Sequence, residues 1–205
     1  GHLDHARTAG IIAKRHGAVL HCAAKIQEHR SVARAPDKRD LRIGVETTLE
    51  AKHGGAGPRV ATVRVPHDCA PTVAFRIEHE GRVLSFLTDM GEPREDVASA
   101  LMGAHVLVIE SNHDVEMLRS GAYPAPLKDR VAGAGGHLSH DQMAIMLTRL
   151  AAPELHTVVL AHLSEKNNRP DLAEGAARDA LERLGRPDVR VLLATQDTPL
   201  DVLDV

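Results

Sequence analysis

Apolar residues along this chain fall into short runs of two periodicities. Runs that alternate with polar residues, or stay apolar over a few positions, and are bounded by Gly, Pro or Asp read as strands. They cover Ala18 to Cys22, Arg59 to Val65 (stopped by Pro66), Thr72 to Ile77, Arg82 to Leu87, His105 to Ile109, Thr157 to Ala161 and Val189 to Ala194. Segments with apolar residues three or four positions apart read as helices: 6–17 closed by Gly17, 23–34, Pro93 to Met102, Val115 to Arg119 capped by Asn112 or Asp114, and Tyr123 to Ala132. A further helix runs to Leu150 with Ser139 as N-cap and Gln142 in its first turn, and another spans Pro170 to Leu184, closed by Gly185. The Gly-rich stretch His53 to Pro58 reads as a hairpin turn rather than a phosphate loop, since no Lys-Ser or Lys-Thr follows it. Arg30 to Arg42, with five basic and two acidic residues, reads as a solvated surface loop, and Gly133 to Gly136 as a flexible connection. Hairpins first and strand–helix alternation afterwards predict an α/β fold, one domain over residues 1–205.

The chemistry gathers where these strands stop. His67 and Asp89 flank the pair of hairpin strands, and antiparallel neighbours place both near one sheet edge. Glu110-Ser111-Asn112-His113-Asp114 follows the buried run His105 to Ile109, and His162 follows Ala161. The C-terminal ends of strands are where sites form in α/β sheets. The chain opens on Gly1-His2-Leu3-Asp4-His5, whose imidazoles and carboxylate suit a loop leading into a helix. A lone loop histidine is more often a hydrogen-bonded structural residue than a ligand. Several at successive strand ends, with carboxylates, make an N/O donor set that zinc, manganese or iron accepts.

Composition narrows the picture. Hydrophobic residues make up 43% of the 205, yet Phe75, Phe86 and Tyr123 are the only Phe or Tyr and Trp is absent, so the core must be aliphatic. A formal net charge of -3 shows no overall electrostatic footprint for nucleic acid, although a local basic face stays open. Cys22 and Cys69 are too few for a disulfide framework, and Cys69 reads as a small buried filler. No apolar run approaches the roughly 20 residues that span a bilayer, and no signal peptide is visible, so a cytoplasmic location is expected.

Taken together, these phrases resemble the metallo-β-lactamase-fold hydrolases, whose motif His-x-His-x-Asp-His is followed by a separate His, Asp and His on later loops. Gly1-His2-Leu3-Asp4-His5 matches all of that motif after its first histidine, His67 and Asp89 match the next two positions and His162 the last. The chain is similar in particular to the YycJ/WalJ-type branch, itself similar to ribonuclease Z. The likeness is carried by Pro66-His67-Asp68, Thr88-Asp89, Glu110-Ser111-Asn112-His113-Asp114, Gly136-His137-Leu138-Ser139 and Ala161-His162-Leu163-Ser164. It implies a metallo-β-lactamase-like αββα sandwich. The chain starts with Gly inside the motif, so part of the N-terminal sheet and the first motif histidine are expected to be missing from it.

The resemblance also implies two divalent ions, Zn or Mn. One would be held by His2, His67 and the histidine before Gly1, the other by Asp4, His5 and His162, with Asp89 bridging. Two ions about 3.5 to 4 Å apart activate a shared water and clamp a phosphoryl oxygen, and Asp4 would steer that water. His137, oriented by Glu110, would protonate the departing oxygen, since a carboxylate behind an imidazole fixes its tautomer and favours its charged form. His113 and Ser139 stand as candidate substrate-binding residues. The branch implies an exonuclease acting on nucleic acid, DNA ahead of RNA, with no membrane partner and a homodimer left open. A thioester or lactam hydrolase, or a metal-free binding domain, stays open beside it, because the fold does not choose the substrate. The Glu110 and His137 pair argues against acyl transfer, which can rely on metal and water for protonation.

Overall fold

A computed structural model describes every residue except Gly1, His2, Lys52, His53, Ala70 and Asp204, and for Leu3 and Asp4 it describes the backbone alone. Short helix α1 (Leu3–Ala6) and α2 (Ala9–His16) precede a two-stranded parallel sheet of β1 (Val19–Cys22) and β2 (Asp37–Asp40). The remaining strands are β3 (Thr47–Glu50), β4 (Ala56–Arg64), β5 (Val73–His79), β6 (Arg82–Leu87), β7 (Val106–Glu110), β8 (Thr157–Ala161) and β9 (Arg190–Leu193). They form one seven-stranded sheet in sequence order. Neighbours from β3 to β6 are antiparallel and those from β6 to β9 parallel, so this is a mixed-sheet α/β fold.

The change of direction at β6 follows from the connections. The turn Glu80-Gly81 joins β5 to β6 and the loop 65–72 joins β4 to β5, whereas the later crossovers carry α3 (Glu95–Leu101), then α4 (Val115–Ser120), α5 (Ala125–Ala132) and α6 (His140–Leu150), and last α7 (Pro170–Arg183). A crossover of that length returns the chain parallel to its predecessor. β8 is buried at every position, as a central strand covered on both faces should be. Helix α6 buries Met143, Met146, Leu147 and Leu150 at helical spacing. Helix α7 offers Ala173, Ala177 and Ala180, whose small side chains let it lie close to its neighbours. The core these helices make with the sheet contains Leu, Val, Ile, Met and Ala and no Phe or Tyr, as the composition required.

Several expectations fail near the N-terminus. Segment 23–34 holds only a 3-10 turn, Ala24–Ile26, followed by turns, because Ser31 must offer its carbonyl to Gly10 N (2.9 Å) and bury Val32 and Ala35. Gly10 permits that approach, since a Cβ there would stand 2.8 Å from Ser31 O. The charged run Asp37-Lys38-Arg39-Asp40, read as loop, is strand β2, held by its backbone ladder to β1. The helix expected over 6–17 is α2, shorter at its start, and the stretch before it, expected as loop, holds the short helix α1, while Gly17 caps α2 in the left-handed conformation (φ 59) as predicted.

Candidate active site

The parallel strands set the site. Registers Leu87↔Ile109 and Ile109↔Leu160 put the ends of β6, β7 and β8 level, so the residues that follow meet at one edge. Asp89 and His162 both turn back at positive φ, 57 and 55. That region is uncommon outside glycine but is several-fold enriched in Asp and His. Asn112 holds the second turn by donating from Nδ2 to His162 O at 2.8 Å.

Glu110, the last residue of β7, is wholly buried. Its Oε1 accepts from His137 Nδ1 (2.7 Å) and His162 Nδ1 (2.6 Å), and its Oε2 from Met90 N (3.1 Å) and Leu138 N (3.3 Å). Burial pushes its pKa up, but the hydrogen bonds from the two imidazoles outweigh this and hold it below the usual carboxylate value. An ionised carboxylate only accepts, so both Nδ1 atoms carry their protons and each ring's Nε2 points away from Glu110.

Asp89 lies beside it, 5% exposed. Its Oδ2 is 2.7 Å from His5 Nε2, and its Oδ1 is 3.5 Å from His137 Nδ1 and 3.7 Å from both His67 Nε2 and His162 Nδ1. Burial raises its pKa, yet the His5 hydrogen bond and the nearby charges of His162, His5 and His67 lower it further, to about 2. Oδ1 has no hydrogen-bond partner among the described residues. His67 is fixed from behind by Nδ1 donating to Gly136 O at 3.0 Å, which leaves its Nε2 facing Asp89.

Four imidazoles thus surround two buried carboxylates. Ring centroids stand 5.2 Å apart for His5 and His162, 5.1 Å for His137 and His162, and 5.1 Å for His67 and His137. Ligand-type atoms of Asp89, Glu110, His137 and His162 lie within 4.8 Å of one another, a potential metal-binding cluster. In the hydrogen-bond network the Nδ1 atoms of His137 and His162 are already committed to Glu110. The donors better placed for an ion are Asp89, the His5 Nε2 beside it and the Nε2 atoms of His67 and His162. A buried carboxylate oxygen without a partner, ringed by imidazoles, fits a divalent cation in donor type and charge.

The structure thereby brings His5, His67, Asp89, Glu110, His137 and His162 together. His2 and the side chain of Asp4 lie outside the described residues. His113 and Ser139 do not join the cluster: they line a different pocket, of about 480 Å³, with Val115 and Leu118. Ser139 Oγ accepts from Gln142 N as the cap of α6, and Gln142 Oε1 accepts from Ser139 N at 2.9 Å, so its polar atoms serve the predicted capping box. His113 is 2% exposed, its carbonyl accepts from His140 N at 3.0 Å, and burial pushes its pKa down to about 4.

Two glycines, Gly91 and Gly136, have a packing role that the sequence reading did not assign. A Cβ on Gly91 would stand 2.2 Å from Ala134 O, and one on Gly136 2.1 Å from Val131 O. Gly91 therefore lets the Asp89 loop meet the backbone of the His137 loop, and Gly136 lets that loop close against the end of α5. Segment 133–136, expected to be flexible, is clamped there, with Gly135 O accepting from Asp68 N and Gly136 O from His67. The clustering of glycine two residues after Asp89 and just before His137 was the available signal. In front of the cluster opens a cleft of about 560 Å³ with His5, His137 and His162 in its wall.

A helix-backed mixed sheet carrying a histidine and carboxylate cluster at its parallel edge is the architecture of the metallo-β-lactamase-fold hydrolases. The chain belongs to the beta-lactamase superfamily, whose domain profile matches residues 1–163, and within it to the YycJ/WalJ branch. It is 30% identical over 187 residues to exodeoxyribonuclease YycJ of Bacillus anthracis, covering 90% of this chain and 69% of that protein. It is 28% identical over 172 residues to exodeoxyribonuclease WalJ of Streptococcus pneumoniae, covering 84% of this chain and 64% of that one. The fold is similar to that of the metallo-β-lactamase fold protein YhfI from Bacillus subtilis, with a TM-score of 0.62 at 13% identity over 94% of this chain and 70% of the other. The protein is accordingly an enzyme of the metallo-β-lactamase hydrolase fold. No helix among the described residues is long and apolar enough to cross a membrane.

Proposed function

We propose that the protein is a cytoplasmic metal-dependent exonuclease that hydrolyses phosphodiester bonds of DNA in preference to RNA. The observation that carries this reading is Glu110, which holds two imidazoles by one oxygen, His162 beside Asp89 and His137 at the cleft. The names of the YycJ and WalJ relatives, both exodeoxyribonucleases, support the substrate.

In this reading Asp4, His5 and His162 would hold one zinc or manganese ion, His2 and His67 would contribute to holding a second, and Asp89 would supply a carboxylate oxygen. Bound there, the ions supply a water of lowered pKa and neutralise charge on the phosphoryl oxygens. Asp4 steers the attacking water. Glu110 keeps the His137 proton on Nδ1, so the other nitrogen, Nε2, is the one that faces a substrate in the cleft. When doubly protonated, His137 passes the Nε2 proton to the departing oxygen, and Glu110 stabilises the charged ring beforehand. The wholly buried position of Glu110 keeps it out of reach of solvent, which would otherwise weaken that interaction.

The test combines metal analysis with incubation of end-labelled DNA and RNA in manganese. Products shortened from one end of DNA support the reading, whereas ester hydrolysis alone would move the protein to the acyl hydrolases. Asp89→Ala is expected to lower both bound metal and cleavage by about 100-fold or more; unchanged cleavage removes Asp89 from the metal site.

A further inference from the structure

One of the chain's three Phe or Tyr residues stands in the catalytic cleft. Tyr123, half-buried, lines it together with His137, His162, Val131, Leu163 and Lys166. Tyrosine is rare enough here that its position is informative: the chain has one Tyr and no Trp.

The loop that carries Tyr123 is built to hold it in place. Helix α4 ends at Ser120, and Gly121 then passes so close to two neighbours that a Cβ there would stand 2.6 Å from Met117 O and 2.8 Å from Asn167 Oδ1. Asn167 is 1% exposed and lines the same cleft. Its own backbone is tied to the sheet edge, with Asn167 O accepting from Asp114 N at 2.9 Å and Asn167 N donating to Ser164 Oγ at 3.2 Å. On the other side Pro124 restricts Tyr123 to extended backbone and caps α5. The ring is thus mounted between a close backbone contact and a proline. Lys166, exposed, is the only lysine or arginine among the cleft's described lining residues.

An aromatic ring with aliphatic neighbours, a lysine in the same lining and the proposed phosphodiester-cleaving centre at the wall make a site for one nucleotide. We propose that Tyr123 stacks on the base of the nucleotide beside the scissile bond and that Lys166 contacts its phosphate, so that the cleft grips an unpaired terminal nucleotide. Stacking of this kind accepts every base, because each has a π-face, and it selects for a base that has left its helix. The proposal rests on the nuclease reading above and adds to it the element that recognises the strand end.

The experiment compares two DNA oligonucleotides, identical except that one ends in an abasic nucleotide. Wild-type protein is expected to show a KM about tenfold lower for the base-bearing end, the scale of one base–aromatic stack. In Tyr123→Ala that ratio falls to about one, and Tyr123→Phe restores it, since phenylalanine keeps the stacking face. Because Tyr123 is the sole source of tyrosine emission and there is no Trp, intrinsic fluorescence follows the same contact without turnover. A phosphorothioate oligonucleotide with its terminal base quenches the emission, and its abasic counterpart does not. If wild type cleaves DNA but Tyr123→Ala retains the tenfold ratio, the stacking proposal is wrong and the nuclease reading stands. If wild type cleaves no nucleic acid, both fall together.

Discussion

Strands β7 and β8 carry a histidine pair near one end and a histidine–carboxylate cluster at the other, and only one end makes a site. Before the strands stand His105 and His156, with ring centroids 6.2 Å apart. His105 Nδ1 accepts from Val83 N at 3.2 Å, and His156 Nδ1 lies 2.9 Å from Thr157 Oγ1. After the strands stand Glu110 and His162, with Asp89 and His137 beside them. The first pair is fastened to backbone and hydroxyl groups; the second surrounds buried negative charge. What separates them is the carboxylate, and its position follows from strand direction. At the C-terminal edge of a parallel array the chain leaves each strand into a loop, and neighbouring loops converge.

The largest effect expected from breaking this contrast is at Glu110. Glu110→Ala would leave two imidazoles and two backbone N–H groups without their acceptor, costing about 3–5 kcal/mol of stability and most of the activity. Denaturant unfolding beside a hydrolysis assay separates the two losses. Next is His137→Gln, for which kcat should fall about 10²- to 10⁴-fold with KM little changed, as loss of a general acid predicts. A comparable drop in KM-limited binding alone would assign His137 to substrate contact instead.

Acid should act on the structure in two stages. His113 is held neutral by burial, with a pKa of about 4 against an ordinary value of 6.5. The unfolded chain therefore binds more protons than the folded one between those values, and stability declines as pH falls from about 6.5 to 4. Asp89, depressed to about 2 from 3.8, contributes stability that is present above about pH 4 and is lost as pH falls towards 2. Thermal unfolding of the metal-free protein across this range should show both, and His113→Leu should flatten the first; an unchanged slope would mean that His113 does not carry it. Smallest of all, His105→Ala or His156→Ala should shift stability by about 1 kcal/mol or less and leave hydrolysis unaltered, in contrast to any change at the opposite edge.

Much of this edge could be read from local pattern. The bounds of β6 and β8 match the predicted runs residue for residue, and the Ser139 and Gln142 capping box lies where its spacing indicated. His67, Asp89, Glu110 and His162 all follow or end strands that the sequence marked by alternation or by an unbroken apolar run. The failures were places where distant contacts decided the outcome. Asp37–Asp40 forms a strand despite four charged residues because β1 offers it a ladder, and segment 23–34 gives up its helix for a bond between Ser31 and Gly10. The burial of His113 is likewise a fact that motif membership does not reveal.

Sequence periodicity alone determined an α/β chain with chemistry-bearing residues at its strand ends, because alternation and helical spacing are properties of neighbours along one element. Which histidines share an acceptor was a matter for the tertiary structure. His137 and His162 meet on one oxygen of Glu110, 27 and 52 residues away in the chain. That meeting depends on the parallel register of β7 and β8, and on Gly91 and Gly136, which let the Asp89 loop, the His137 loop and the end of α5 approach closely. Distances of this kind are set by packing between segments far apart in sequence, which no local pattern encodes.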